Sequence, residues 1–182
     1  MTDSHEHVLT AAGAEALVRS VLESAAQLRL RVSVAVVDER GFDLVVVRGD
    51  GASWFTPDVA RTKARTAAAF ARPSESLLEL RADHPDLFVL LGEGLPFSPT
   101  PLPGGLPVRQ GDRLVGGLGV SGASPDQDVE LAVVALSALH SPREAPDKRP
   151  ARRDSSLGRA RPADETEARA PRRGSDHTRR HR

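Results

Sequence analysis

The chain has 182 residues, enough for one domain and an appendage, and its 25 Lys and Arg balance its 25 Asp and Glu. It contains no cysteine, which excludes disulfides, thiol catalysis and thiolate metal sites. No apolar run approaches the roughly 18 residues of a membrane span and the first residues do not resemble a secretory signal, so we expect a cytoplasmic protein that makes no membrane contact.

The first part of the chain predicts a helix followed by a β-hairpin. Between residues 10 and 29, apolar side chains recur at spacings of three and four, which is typical of a long amphipathic helix. Two β-branched runs, 31–38 and 43–49, are joined by a short turn that ends in Gly41. This pattern predicts a hairpin, and the nearly continuous apolar run of its first strand predicts a central place in a sheet.

Two helices are expected after the hairpin. Thr56 has the residue type of an N-cap, Pro57 suits the first helical position, and Pro73 would stop the helix. A second, short helix is predicted over residues 74–81. A further strand is predicted near residues 87–91, where the sequence is a short apolar run.

The last part of the domain predicts a second hairpin and a closing helix. Strands are expected at 106–109 and 113–120, with the Gly111–Asp112 turn between them, and a helix at about 125–139. The order is therefore helix, β-hairpin, two helices, β-hairpin, helix. It predicts an α+β fold with a central antiparallel sheet of about five strands flanked by helices.

Within this region, the segment Gly117–Gly122 reads GLGVSG and matches the dinucleotide-binding fingerprint G-x-G-x-x-G. That fingerprint requires a strand after the following helix, because this strand carries the acidic residue that holds the ribose. Here the following helix is the last apolar segment of the chain. A dinucleotide site is therefore not predicted.

The end of the chain differs sharply in composition from the rest. Residues 1–140 carry 12 basic and 18 acidic side chains, a net charge of −6, whereas residues 141–182 carry 13 and 7, a net of +6. Five prolines and a single large aliphatic residue, Leu157, leave the second segment too little apolar surface to fold. We predict a folded domain at 1–140 and a disordered Arg- and Pro-rich tail at 141–182. Nucleic acid is not an expected partner except through this basic tail, whose interspersed acidic residues favour a soluble extension.

Four motifs resemble the GlcG/HbpS family of haem-binding and related proteins, in the family's order and spacing. They are VAVVDERG (34–41), ARTKARTAAAF (60–70), PGGLPV (103–108) and VGGLGVSGASPDQD (115–128). The resemblance implies a compact α+β domain that assembles into dimers or larger homo-oligomers. It also implies a non-catalytic binding role, with haem as the best-attested ligand.

The candidate ligand-binding residues all lie in these motifs: Lys63, Gly104, Gly105, Ser121, Gly122 and Asp128. Lys63 has the charge to anchor a carboxylate or haem propionate, but a solvated or salt-bridged lysine fits the sequence equally. Glycines within strands mark a close approach of a ligand, a packed helix or another subunit. Asp128 suits the positive end of the last helix, for which Ser124 is the predicted N-cap.

Haem would need an axial ligand, normally His, Met, Cys or Tyr. The chain has no Cys or Tyr, and its one methionine is Met1. Among its six histidines we select His7 and His84 as possible axial ligands; no other metal site is predicted.

Three functions fit the sequence. The first is non-catalytic binding of haem or another carboxylated small molecule. The second is an enzyme or enzyme-accessory protein for a small hydroxy acid or a corrinoid pathway, although the sequence offers no evident acid–base pair. The third is a homo-oligomeric assembly module without a ligand.

Overall fold

The computed structural model describes residues 8–140, apart from the side chain of His140. In chain order the helices and strands are α1 (Ala11–Gln27), β1 (Ser33–Asp38), β2 (Asp43–Arg48), α2 (Thr56–Phe70), α3 (Leu77–Asp83), α4 (Pro85–Gly94), β3 (Gly105–Gln110), β4 (Arg113–Ser121) and α5 (Pro125–His140). A short 3₁₀ turn, Ser74–Ser76, precedes α3. The predicted tail, 141–182, lies outside the described residues.

The strands form one antiparallel sheet in the order β2-β1-β4-β3. The α+β class and both hairpins are confirmed, but within residues 8–140 the sheet has four strands and not about five. The prediction of a strand at 87–91 is wrong, because this run belongs to α4. A five-residue apolar run fits either period, and here Pro85 occupies the first turn of a helix.

The sheet is covered on both faces, as the apolar run of β1 predicted. Helices α1 and α5 pack together on one face, where the larger cluster of buried aliphatic side chains lies. Helix α2 covers the other face through a small cluster that includes Ala35, Val37, Ala60, Ala64 and Ala68. Alternation along β1 and β4 divides their side chains between these two faces.

Helix α2 lies unusually close to β4, because alanines of the helix face glycines of the strand. A Cβ atom at Gly117 would overlap the carbonyl oxygen of Ala64, and one at Gly119 would overlap that of Ala60. Glycines at these two positions therefore serve helix–sheet packing. This contact fixes the height of α2 above the sheet.

Some predicted helix ends are displaced. Thr56 is the first residue of α2 and not its N-cap, because its hydroxyl donates to the Ser53 carbonyl and also shares a hydrogen bond with the Ser33 hydroxyl. Helix α2 ends at Phe70, where Ala71 adopts a left-handed conformation. None of the helices between residues 8 and 140 is long and apolar enough to cross a membrane.

Candidate functional site

A cleft of about 300 Å³ opens where the start of α2 faces the junction between β4 and α5. The segment that leads into β3 also lines the cleft, through Leu102 and Pro103. The lining residues are Ser53, Phe55, Thr56, Val59, Lys63, Leu102, Pro103, Ser121, Gly122, Ala123, Pro125 and Asp128. Four of the six predicted ligand-binding residues are among them: Lys63, Ser121, Gly122 and Asp128.

A buried ion pair joins two of these residues. The Nζ atom of Lys63 donates to Oδ2 of Asp128 and to the carbonyl oxygen of Val120, each over 2.8 Å. Lys63 is 4% exposed and Asp128 is 3% exposed. The sequence left open a ligand anchor or a solvated or salt-bridged lysine; in the structure Lys63 is salt-bridged, and its role as a ligand anchor stays a prediction. These two acceptors use two of its three ammonium protons.

The carboxylate of Asp128 is held at the N-terminal end of α5. Its Oδ1 atom accepts from the backbone N–H of Ala123 over 3.1 Å. Burial raises the pKa of Asp128 above its ordinary value, while the hydrogen bond and charge of Lys63 act in the opposite direction. The two side chains therefore form a buried ion pair that lines the cleft.

The start of α5 is stabilised by a reciprocal cap. The backbone N–H of Gln127 donates to Oγ of Ser124, and Oε1 of Gln127 accepts from the backbone N–H and hydroxyl of Ser124. This is the capping-box arrangement, and it agrees with the prediction of Ser124 as N-cap. Because the cap fixes the first turn of α5, it also fixes the backbone from which Asp128 reaches Lys63.

Ser121 adds a hydroxyl to the cleft. It lies opposite Ser33 in the β1–β4 register, and the Ser33 hydroxyl bonds to Thr56 of α2, so the pleat directs Ser121 to the α2 face as well. Ser121 is 6% exposed, and its hydroxyl has no hydrogen-bond partner among residues 8–140. A hydroxyl that lines a cleft and has no protein partner is available to a ligand or to water.

The predicted glycines have different surroundings. Gly122 follows Ser121 at the cleft with φ of 134°. Gly104 covers the ion pair, because a Cβ atom there would lie 2.8 Å from Cβ of Asp128 and 3.1 Å from Nζ of Lys63. Gly105 packs against α2 and donates to Oγ of Ser74, away from the cleft lining. The structure therefore assigns Gly104 and Gly105 to protein packing, and their ligand-binding role stays a prediction.

The apolar walls of the cleft were not predicted. Phe55 and Val59 form one wall and Leu102 and Pro103 another. Phe55 is 49% exposed, and its ring meets that of Trp54 edge-on at a centroid distance of 5.8 Å. The neighbouring aromatic residues Trp54 and Phe55, in a loop just before a helix, were the available sequence signal.

The structure describes one of the two candidate haem ligands, His84, and it does not lie in this cleft. His84 is exposed at the junction of α3 and α4 and does not line the cleft, whereas His7 lies outside the described residues. Residues 8–140 also contain no group of three or more His, Cys, Asp or Glu side chains suited to a metal ion.

Comparisons with known proteins add a family match. A family model described as "Haem degrading protein HbpS-like" matches residues 9–137. The structure resembles that of a double mutant of HbpS from Streptomyces reticuli, with 36% sequence identity and a TM-score of 0.67 over 78% of this chain and 92% of that one. It also resembles a PduOC:heme complex, with 32% identity and a TM-score of 0.61 over 68% of this chain and 89% of that one.

Among curated proteins, the corrinoid adenosyltransferase PduO of Salmonella typhimurium is 32% identical over 124 residues. This alignment covers 68% of the present chain but 37% of PduO. The chain thus corresponds to about a third of that relative.

Proposed function

The chain belongs to the HbpS-like family, and on this premise we propose that it is a non-catalytic protein that binds a carboxylated small molecule in the cleft above the Lys63–Asp128 pair. One observation carries the proposal. The third ammonium proton of Lys63 and the unpartnered hydroxyl of Ser121 both belong to residues that line the same cleft. A carboxylate has the acceptors to receive both protons, and hydrogen bonds to an ionised acceptor are stronger than neutral ones.

The ion pair lets this site remain stable when empty. Asp128 compensates the charge of Lys63, so neither group is left buried and unpaired. An arriving carboxylate would then compete with Asp128 for the ammonium group. Burial raises the pKa of Asp128, so that its carboxyl, once it has lost Lys63 to a ligand, can become neutral by taking up a proton from solvent.

Haem is one candidate ligand, supported by the family's description and by the heme complex of PduOC. The propionate groups of haem could accept hydrogen bonds from Lys63 and Ser121, which form the polar floor of the cleft. An axial ligand would have to come from elsewhere than the described lining residues, since no histidine is among them. His7 and His84 keep this role as predictions.

An enzymatic or enzyme-accessory function is the second candidate, and the structure offers an observation in its favour. Asp128, a carboxyl whose pKa is raised by burial, meets the ammonium group of Lys63 at the cleft, a pairing that the sequence did not reveal. Perturbed titratable groups in clefts are a common mark of catalytic sites, although structural ion pairs show them as well. Association into a homo-oligomer, as a dimer or larger, also stays a prediction.

A hemin titration of the full chain, followed by the Soret band, tests the haem version. A saturable shift that is lost in His7→Ala or His84→Ala would support axial binding by that residue. A shift lost only in the His177→Ala/His181→Ala double variant would assign binding to the tail. No saturable shift would eliminate haem.

The wider proposal is tested with propionate as a small carboxylate probe, by chemical-shift mapping of the backbone amides. We expect saturable shifts centred on Ser121 and Gly122, and their loss in the Lys63→Met/Asp128→Asn double variant. Shifts spread over the surface, or equal shifts in the double variant, would contradict the proposal.

A further inference from the structure

The cleft combines a polar floor with apolar walls, and this combination restricts its ligand. Half of the twelve lining residues are apolar: Phe55, Val59, Leu102, Pro103, Ala123 and Pro125. A hydroxyl group against such walls would lose hydrogen bonds to water without replacement. The part of a ligand that lies against these walls, away from the polar residues, is therefore expected to be apolar, and a small hydroxy acid has no such part.

Local structure also constrains the backbone of the walls. Phe55 holds the N-cap position of α2, so its backbone is fixed by the helix that carries Lys63. Pro103 and Pro125 have ring-locked backbones, and Pro125 begins the capped helix α5. The backbone around these wall residues is thus held by local structure, and a ligand that is itself rigid would lose less conformational entropy on binding there than a flexible chain.

The ring of Phe55 is unusually available for an aromatic ring. It is 49% exposed although it lines the cleft, and its neighbour Trp54 is 79% exposed. Aromatic rings attract one another edge-on or in offset stacks, beyond the effect of buried area. The edge-on contact between Trp54 and Phe55 is one such pair, and it leaves part of the Phe55 ring uncovered.

From these observations we propose that the cleft selects a carboxylate attached to a flat aromatic ring of one or two rings. This inference rests on the proposed function and names its ligand class. The carboxylate would accept from Lys63 and Ser121, and the ring would lie between Phe55 and Pro103. A cleft of about 300 Å³ lies at the lower end of the usual range of ligand sites, which suits a ligand of this size.

The test compares three carboxylates with the full-length protein: benzoate, cyclohexanecarboxylate and glycolate. Calorimetry gives the affinities, and fluorescence gives a local signal, because Trp54 is the only tryptophan and the chain has no tyrosine. We expect benzoate to bind about 3–10-fold more tightly than cyclohexanecarboxylate, the range that an aromatic pair supplies, and glycolate to bind most weakly. Phe55→Leu should abolish the preference for benzoate and leave the affinity for cyclohexanecarboxylate within about twofold.

Phe42→Leu is the matched control, since Phe42 is exposed and lies outside the cleft. Equal affinities for benzoate and cyclohexanecarboxylate would overturn the aromatic selectivity while leaving carboxylate binding intact. Tight binding of glycolate alone would overturn it in favour of a hydroxy acid. Failure of all three probes to bind would overturn the inference together with the proposed function.

Discussion

Replacing Lys63 by methionine is the strongest test of the buried ion pair. Methionine keeps most of the side-chain length but removes the charge, so Asp128 is left 3% exposed with no cation. Breaking a buried pair in this way costs about 3–5 kcal/mol of unfolding free energy. For a domain of this size, such a loss corresponds to a decrease of about 10–20 °C in the unfolding temperature.

The loss should depend on pH. The folded-state pKa of Asp128 lies above its ordinary value of 3.8 because of burial, and removal of Lys63 takes away the interaction that lowers it. When the pKa is higher in the folded state than in the unfolded state, proton binding stabilises the folded state. This stabilisation is complete at a pH below the unfolded-state pKa, and it is lost as the pH rises through the folded-state pKa. Lys63→Met should therefore regain stability relative to the wild type as the pH is lowered from 8 towards 5.

The double variant Lys63→Met/Asp128→Asn is the control, because asparagine keeps the size of Asp128 and an acceptor for Ala123 but carries no charge. We expect it to recover more than half of the loss at pH 8 and to show no added pH dependence. Thermal unfolding followed by circular dichroism measures all three proteins. A single variant as stable as the wild type at pH 8, or a double variant no better than the single one, would refute this account of the pair.

Further predictions concern packing, the cleft and the tail. Gly119→Ala should lower the free energy of unfolding by about 1–3 kcal/mol, because its methyl group would overlap the Ala60 carbonyl. Gly92→Ala in α4 has open space around it and should be neutral or stabilise the domain by up to about 1 kcal/mol; urea unfolding measures both variants. Ser121→Ala should leave the unfolding free energy within about 1 kcal/mol of wild type, since the hydroxyl has no partner among residues 8–140. The same variant should bind propionate more weakly in the chemical-shift titration. A large loss of stability would show instead that Ser121 has a structural role. Deleting residues 141–182 should leave the unfolding temperature unchanged within about 2 °C, and precipitation or unfolding of the shortened chain would contradict the predicted domain boundary.

The sequence predicted the fold best where periodicity was long and unambiguous. Helix α1 follows from apolar spacings of three and four residues over the whole element, and the two hairpins follow from strand-like runs joined at glycine-containing turns. The run at 87–91 was too short for its period to be decided, and none of the residues of α4 is buried, so core packing could not have identified it either. Short elements near the surface depend on local turns, which a propensity argument resolves poorly.

Several residues of the candidate site were selected from the sequence, but the contacts between them were not predicted. Lys63 and Asp128 were each selected from the sequence, but they are separated by 65 positions, and only the β1–β4 register and the packing of α2 bring them together. Phe55 and Leu102 were missed because an apolar residue beside a turn has the same sequence signal whether it faces a core or a cleft. The unpartnered state of Ser121 depends on contacts that no local pattern encodes.

The glycines of β4 link the fold to the site. Gly117 and Gly119 let α2 approach the sheet until the Lys63 side chain can reach the carbonyl of Val120 as well as Asp128. A side chain at either glycine would push α2 outwards and lengthen both of these hydrogen bonds. The close packing of α2 on β4 is therefore also what positions Lys63 in the cleft. A substitution at Gly119 should consequently impair carboxylate binding even under conditions in which the variant remains folded.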